Sequence, residues 1–204
     1  MTGRRISPWV WLLACLVLLC AAGARSPAAK APWFSLEATS GGVRTPASFA
    51  GRVVLLMYED RDSGELNAAL KAEVKRRMEN EPAARTLVVL PVADVRKYNY
   101  FPARGIVRRA VVERAETLGT DILLDWTGDI ARAYGFVAPG SNVVLIGRDG
   151  VHLYQRTSPL DATERRRFHA VLSTALASAK ARQATTFVPS EALLPHSSRT
   201  EGTP

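Results

Sequence analysis

Cysteine is nearly absent from this chain: Cys15 and Cys20 are the only two, and both fall within the first 24 of its 204 residues. From residue 25 onward there is no thiol nucleophile, no disulfide and no cysteine metal ligand. Long apolar runs are scarce too. The stretch from Trp9 to Ala22 falls short of the roughly 20 residues that a comfortable spanning helix needs. The formal charge of +8 comes from scattered arginines and not from one long basic block, which argues against nucleic acid as a partner. No GxSxG motif surrounds any serine, so the three histidines, His152, His169 and His196, have no nucleophile elbow to serve.

What is present reads as an exported globular protein. A composition of 47% hydrophobic and 23% charged residues is that of a chain that builds a core. Arg4 and Arg5, the apolar stretch and the small-x-small pattern Ala22-Gly23-Ala24 have the anatomy of a secretory signal over residues 1–24, cut to leave Arg25. Loss of Arg4 and Arg5 with that leader takes two positive charges from +8 and leaves the chain basic at +6. The alternative is a lipoprotein: Leu12-Leu13-Ala14-Cys15 resembles a lipobox, with Cys15 as the lipidated residue. Against it, the apolar stretch runs on past Cys15. The expected location is periplasmic or secreted. An exported domain without a disulfide depends on its core alone.

Residues 25–32 read as a linker, 33–181 as one domain and 182–204, with three prolines and no sustained period, as a disordered tail. Within the domain, Trp33, Phe34 and Leu36 suggest an extended segment, and "VVLLMY" after Gly51 has the uninterrupted β-branched and apolar character of a strand buried on both faces. Leu66, Leu70, Val74 and Met78 recur at steps of four, predicting an amphipathic helix from Ser63 that stops at Pro82. A second strand is expected at 86–92 and a loop at 96–103. A helix at 104–118 follows, with Val107, Val111, Ala115 and Leu118 inward, then a short strand at 121–125. "TGDIARAYG" is a short helix ended by Gly135. "NVVLIGRDGVHLYQ" is a hairpin turning at Asp149-Gly150. The last helix starts at Asp161, with Glu164 three residues on in a capping-box-like arrangement, and buries Phe168, Val171, Leu172, Ala175 and Leu176.

"AGRVVLLMYEDRDSGELN", "DWTGDIARAYGFV" and "NVVLIGRDGVHLY", in that order, resemble the thioredoxin-like fold. Within it the likeness is to the YtfJ-type family of bacterial periplasmic proteins, over about residues 33–177. The resemblance implies an α/β chain, a three-layer α/β/α sandwich with a central mixed β-sheet. In redox-active members a cysteine opens the helix after the central strand, where exposed amides and the helix dipole stabilise its thiolate. Here that place falls at about Ser63, with Leu66 where the second cysteine would be. A serine hydroxyl is too weak an acid for the dipole to make it a nucleophile at neutral pH, and leucine has no redox chemistry. Ser63 is expected to cap the helix instead. The place of the cis-proline of many relatives falls at about Ser141, with Pro139 two residues early.

Asp60, Asp62, Ser63 and Ser141 are thus a candidate groove. Glu59, Asp60, Asp62 and Glu65 are four carboxylates in seven residues, but their spacing is not that of a calcium loop, and favourable placement near a helix N-terminus accounts for them. No metal and no cofactor is expected. The loop "RKYNYFPARG" mixes cations with Tyr98, Tyr100 and Phe101, which serve either to pin the loop to the core or as a partner surface. Two functions remain: a non-catalytic binding module for a periplasmic protein or peptide, without membrane attachment unless Cys15 is lipidated, or a thiol-oxidoreductase or peroxiredoxin-like antioxidant protein.

Overall fold

The computed structural model describes residues 29–186, with side chains to 178. The leader expected over residues 1–24, with Cys15 and Ala24, and the tail from 187 on lie outside the described residues.

The run Val53–Tyr58 sits at the centre because both its faces are apolar. Strand β3, Val54–Glu59, pairs in parallel with β4, Val88–Asp94, and antiparallel with β6, Asn142–Ile146. Val54, Leu56 and Tyr58 point into one core; Val53, Leu55 and Met57 point into the other. The remaining strands are β1, Leu36–Ala38; β2, Val43–Arg44; β5, Leu123–Asp125; and β7, His152–Arg156. Across the sheet the order is β2-β1-β5-β4-β3-β6-β7. Strands β3, β4 and β5 are parallel, and the others run antiparallel to their neighbours.

Helices cover both faces, which makes the three layers. Helix α1, Ala68–Asn80, and helix α4, Ala162–Thr186, pack Leu70, Val74, Phe168, Leu172 and Leu176 over Val53, Leu55, Met57, Val143 and Leu145. The short helix α3, Asp129–Tyr134, lays Ile130, Ala131 and Tyr134 on the opposite face. It stops at Gly135, whose φ of 64° suits the left-handed cap. Helix α2, Ala103–Leu118, lies over a smaller cluster of Val95, Leu124 and Trp126 with Val107 and Val111. The architecture is the expected α/β sandwich with a mixed sheet.

Pro91 lies in an internal strand without breaking it. The amide of Val88 donates to Val53 O at 2.9 Å, so alternate residues of β4 turn toward β3, and Pro91 turns the other way. Pairing with β5 begins only at Val92↔Leu123, so the missing N–H faces no partner strand.

Helix α1 begins at Ala68 and not at Ser63, since residues 61–67 form consecutive turns; Leu66 is therefore exposed. Leu118, at the last turn of α2, is exposed as well. Residues 29–31 are not a free linker: Lys30 bridges Val151, Ala31 N donates to Gly150 O at 2.9 Å, and His152 N donates to Ala29 O at 2.9 Å. Helix α4 runs through 182–186, which takes the start of the expected tail into regular structure. Asp161 does cap α4, accepting from Glu164 N at 2.8 Å. Glu164 does not reciprocate: its carboxylate instead accepts from Tyr154 Oη at 3.1 Å.

Candidate functional site

The C-terminal ends of β3, β4 and β5 carry the polar residues, as the open edge of a parallel sheet layer does. At the end of β3 the chain turns through Asp60. Its Oδ1 accepts from Ser63 N at 2.9 Å and Asp62 N at 3.2 Å, while Ser63 Oγ accepts from Asp60 N at 2.9 Å. This reciprocal pair has the geometry of a capping box, applied to the turns that precede α1 and not to α1 itself. Ser63 Oγ also donates to Asp60 Oδ1 at 2.6 Å, so the hydroxyl is held within the turn, with no histidine among its partners.

The cap position of α1 belongs to Asn67, and its side chain is engaged elsewhere. Asn67 Nδ2 donates to Ser141 Oγ at 2.8 Å, and its Oδ1 accepts from Leu160 N at 2.9 Å. Ser141 Oγ in turn donates to Glu59 Oε1 at 2.5 Å, and Glu59 Oε2 pairs with Lys71 Nζ at 2.7 Å. Lys71 also donates to Gly64 O. Beside this network the buried Asn142 amide holds the loop before β6. It accepts from Val137 N at 3.1 Å and donates to Val137 O at 3.0 Å. In that loop the Ala138–Pro139 bond is cis, so a cis-proline stands two residues before Ser141.

Ser63 and Ser141 thus come together under one end of the sheet, but as its floor. Both are buried, Ser141 completely, and neither lines an open groove; Asp60 is half-buried and Asp62 exposed at the rim. The four carboxylates diverge: Glu59 goes to Lys71 and Ser141, Asp60 to Ser63, Asp62 to Lys97 at 3.8 Å, and Glu65 to solvent. Asn67, Lys71 and Asn142 were not singled out from the sequence. The one signal pointing to Asn67 was a polar residue at the buried step of the α1 stripe, between Ser63 and Leu70.

A second polar cluster underlies the first. Tyr58 Oη donates to Asp125 Oδ2 at 3.2 Å, Gly128 N donates to Asp125 Oδ1 at 2.7 Å, and Arg96 grips Asp94 with two bonds of 2.8 and 2.5 Å. Burial, and then the neighbouring charges of Asp125 and Asp94, push the Tyr58 phenol well above its ordinary value, so it stays a donor. Burial alone would raise Asp94, but the hydrogen bonds and charge of Arg96 outweigh it and hold the carboxyl below the usual range.

The aromatic loop divides its labour. Tyr98 packs half-buried on the Val95, Leu124 and Trp126 cluster and pins the loop, so it is not part of an open surface. Asn99 Nδ2 donates to Trp126 O at 3.0 Å, Arg104 Nη1 donates to Asn99 Oδ1 at 2.8 Å, and the Arg104 guanidinium lies 4.7 Å over the Trp126 ring. On this braced base Tyr100 and Phe101 point outward, 61% and 95% exposed.

No family model and no curated protein sequence matches the chain. Solved structures do. An uncharacterized conserved protein from Geobacillus kaustophilus superposes with a TM-score of 0.57 at 17% identity, over 76% of this chain and 85% of its own. A candidate thiol:disulfide interchange protein DsbE from Chlorobium tepidum gives 0.54 at 22%, over 74% and 98%. A thiol:disulfide interchange protein of the thioredoxin family from Chlorobium tepidum TLS gives 0.53 at 15%, over 75% and 99%. The fold is thioredoxin-like. At these identities the likeness speaks to the fold and leaves the chemistry to the residues.

Proposed function

We propose that this chain is an exported thioredoxin-fold protein of the YtfJ type that performs no thiol chemistry and works as a binding module for a periplasmic protein or peptide. The observation that supports this reading is the state of the turn after β3. Where the fold's redox members hold a thiol, this chain has Ser63, buried and hydrogen-bonded to Asp60, and an exposed Leu66. Residues 25–204 contain no cysteine to substitute for it. Export rests on the leader-like residues 1–24.

Insulin reduction and peroxide consumption by the processed protein are both expected to stay at the no-protein baseline. Turnover above it in either assay restores the thiol-oxidoreductase or peroxiredoxin reading. Intact-mass measurement is expected to place the N-terminus at Arg25; a diacylated Cys15 would establish the lipoprotein instead.

A further inference from the structure

From Val95 to Val112 the chain carries five cations, Arg96, Lys97, Arg104, Arg108 and Arg109, and no acid. The turn at 59–65 carries four acids against Arg61 alone. The fold sets these oppositely charged stretches side by side, with Lys97 Nζ 3.8 Å from Asp62 Oδ2 at their seam. Exposed apolar side chains flank the seam: Leu66 on the acidic side, Tyr100 and Phe101 on the basic side. Isolated exposed apolar residues are ordinary, but an aromatic this exposed on a loop braced through Asn99, Arg104 and Trp126 is presented already ordered.

We infer that this end of the sheet docks an acidic segment of another exported protein, whose apolar residues cover Tyr100 and Phe101 and whose carboxylates face Lys97 and Arg104. The inference rests on the binding-module reading and supplies its partner chemistry. Charge complementarity selects the occupant. Lys97 and Arg104 stay half exposed although each already has an acid at 3.8 Å, Asp62 and Glu37 respectively, so they retain room for further carboxylates. A plane of anionic lipid fits less well, because it would press its headgroups onto Asp60, Asp62 and Glu65 as well. A protein segment can place its acids on one side of the seam only.

The probe is a library of random twelve-residue displayed peptides, panned on the full chain as purified from exporting cells. Enriched peptides are expected to combine Asp or Glu with aromatic or aliphatic residues. Measured by fluorescence anisotropy, Phe101→Ala and Arg104→Glu are each expected to weaken the best peptide at least tenfold, and raised salt to weaken it further. Phe101 is almost wholly exposed, so its truncation leaves the fold intact; circular dichroism checks this for both variants. No enrichment over an uncoated surface, or affinity unmoved by either variant, overturns the inference. So does sedimentation of wild type, but not Phe101→Asp, with phosphatidylglycerol vesicles, which would assign the tip to lipid. Failure here with the redox assays at baseline removes only the docking assignment; redox turnover removes the module reading itself.

Discussion

The hydroxyl of Ser141 lies 2.5 Å from Glu59 Oε1 and accepts from Asn67 Nδ2 at 2.8 Å, joining three chain segments at one buried oxygen. Ser141→Ala leaves the Asn67 amide without its acceptor and removes a donor from a mostly buried carboxylate. The expected cost is about 1.5–3 kcal/mol, the range for hydrogen bonds to charged groups. Ser63→Ala breaks only contacts within one turn and is expected to cost about 1 kcal/mol. Urea denaturation of both variants tests the order; an equal or larger loss at Ser63 would show that the tertiary network is not the stronger element.

Tyr58→Phe keeps the ring that packs 4.9 Å from Phe136 and deletes the hydroxyl that donates to Asp125 and also helps hold the Asp94 carboxyl low. A buried carboxylate then loses one of its two hydrogen bonds, and a loss of about 1–2 kcal/mol is expected. A midpoint unchanged in urea would mean that water replaces the phenol.

Gly128 and Gly135 both have positive φ, 76° and 64°, yet their surroundings differ. A Cβ on Gly135 meets nothing within 4 Å, so Gly135→Ala is expected to cost about 1–2 kcal/mol from left-handed backbone alone. A Cβ on Gly128 falls 2.3 Å from Arg96 Cδ, so Gly128→Ala must also displace the side chain that grips Asp94. Thermal unfolding is expected to show Gly128→Ala as the worse of the two. Equal shifts would mean that Arg96 moves freely.

Stability is expected to fall on acidification in two stages. Burial lowers the His152 pKa, so the folded state holds the ring neutral; its contribution is complete above about 6.5 and is lost as pH falls from there through the lowered folded value. Asp94 and Glu73 are held below their ordinary values: burial opposes this, but Arg96 for the first, and His169 with Arg165 for the second, outweigh it. Their contribution is present above about 4 and disappears as pH drops through the depressed values. Urea midpoints measured from pH 8 to pH 3 should show both stages. Asp94→Asn should flatten the acid one, and an unaltered acid slope would remove Asp94 from this account.

Much of the architecture was legible because its signals are local. The apolar run 53–58, the Asp149-Gly150 reversal, the Asp161 cap and the stripe Phe168, Leu172 and Leu176 each state their role through neighbours in the chain, and each is found in that role. The turn after β3 was misread for the same reason. Ser63, Leu66 and Leu70 fit a helical period, but the reciprocal bonds of Asp60 and Ser63 close a turn there and delay the helix to Ala68.

The sequence by itself determined which stretches are buried, the parallel and hairpin units they form, and the absence of thiols after residue 24; these follow from side-chain chemistry and period. Only the tertiary structure decided that Ser141, Asn67, Glu59 and Lys71 share one network, that Tyr98 turns inward while Tyr100 and Phe101 turn outward, and that opposite charges meet at Lys97 and Asp62. Those relationships join residues 12 to 82 positions apart, and a hydrogen bond or ion pair at such separation exists only once the packed sheet has brought its ends within 4 Å.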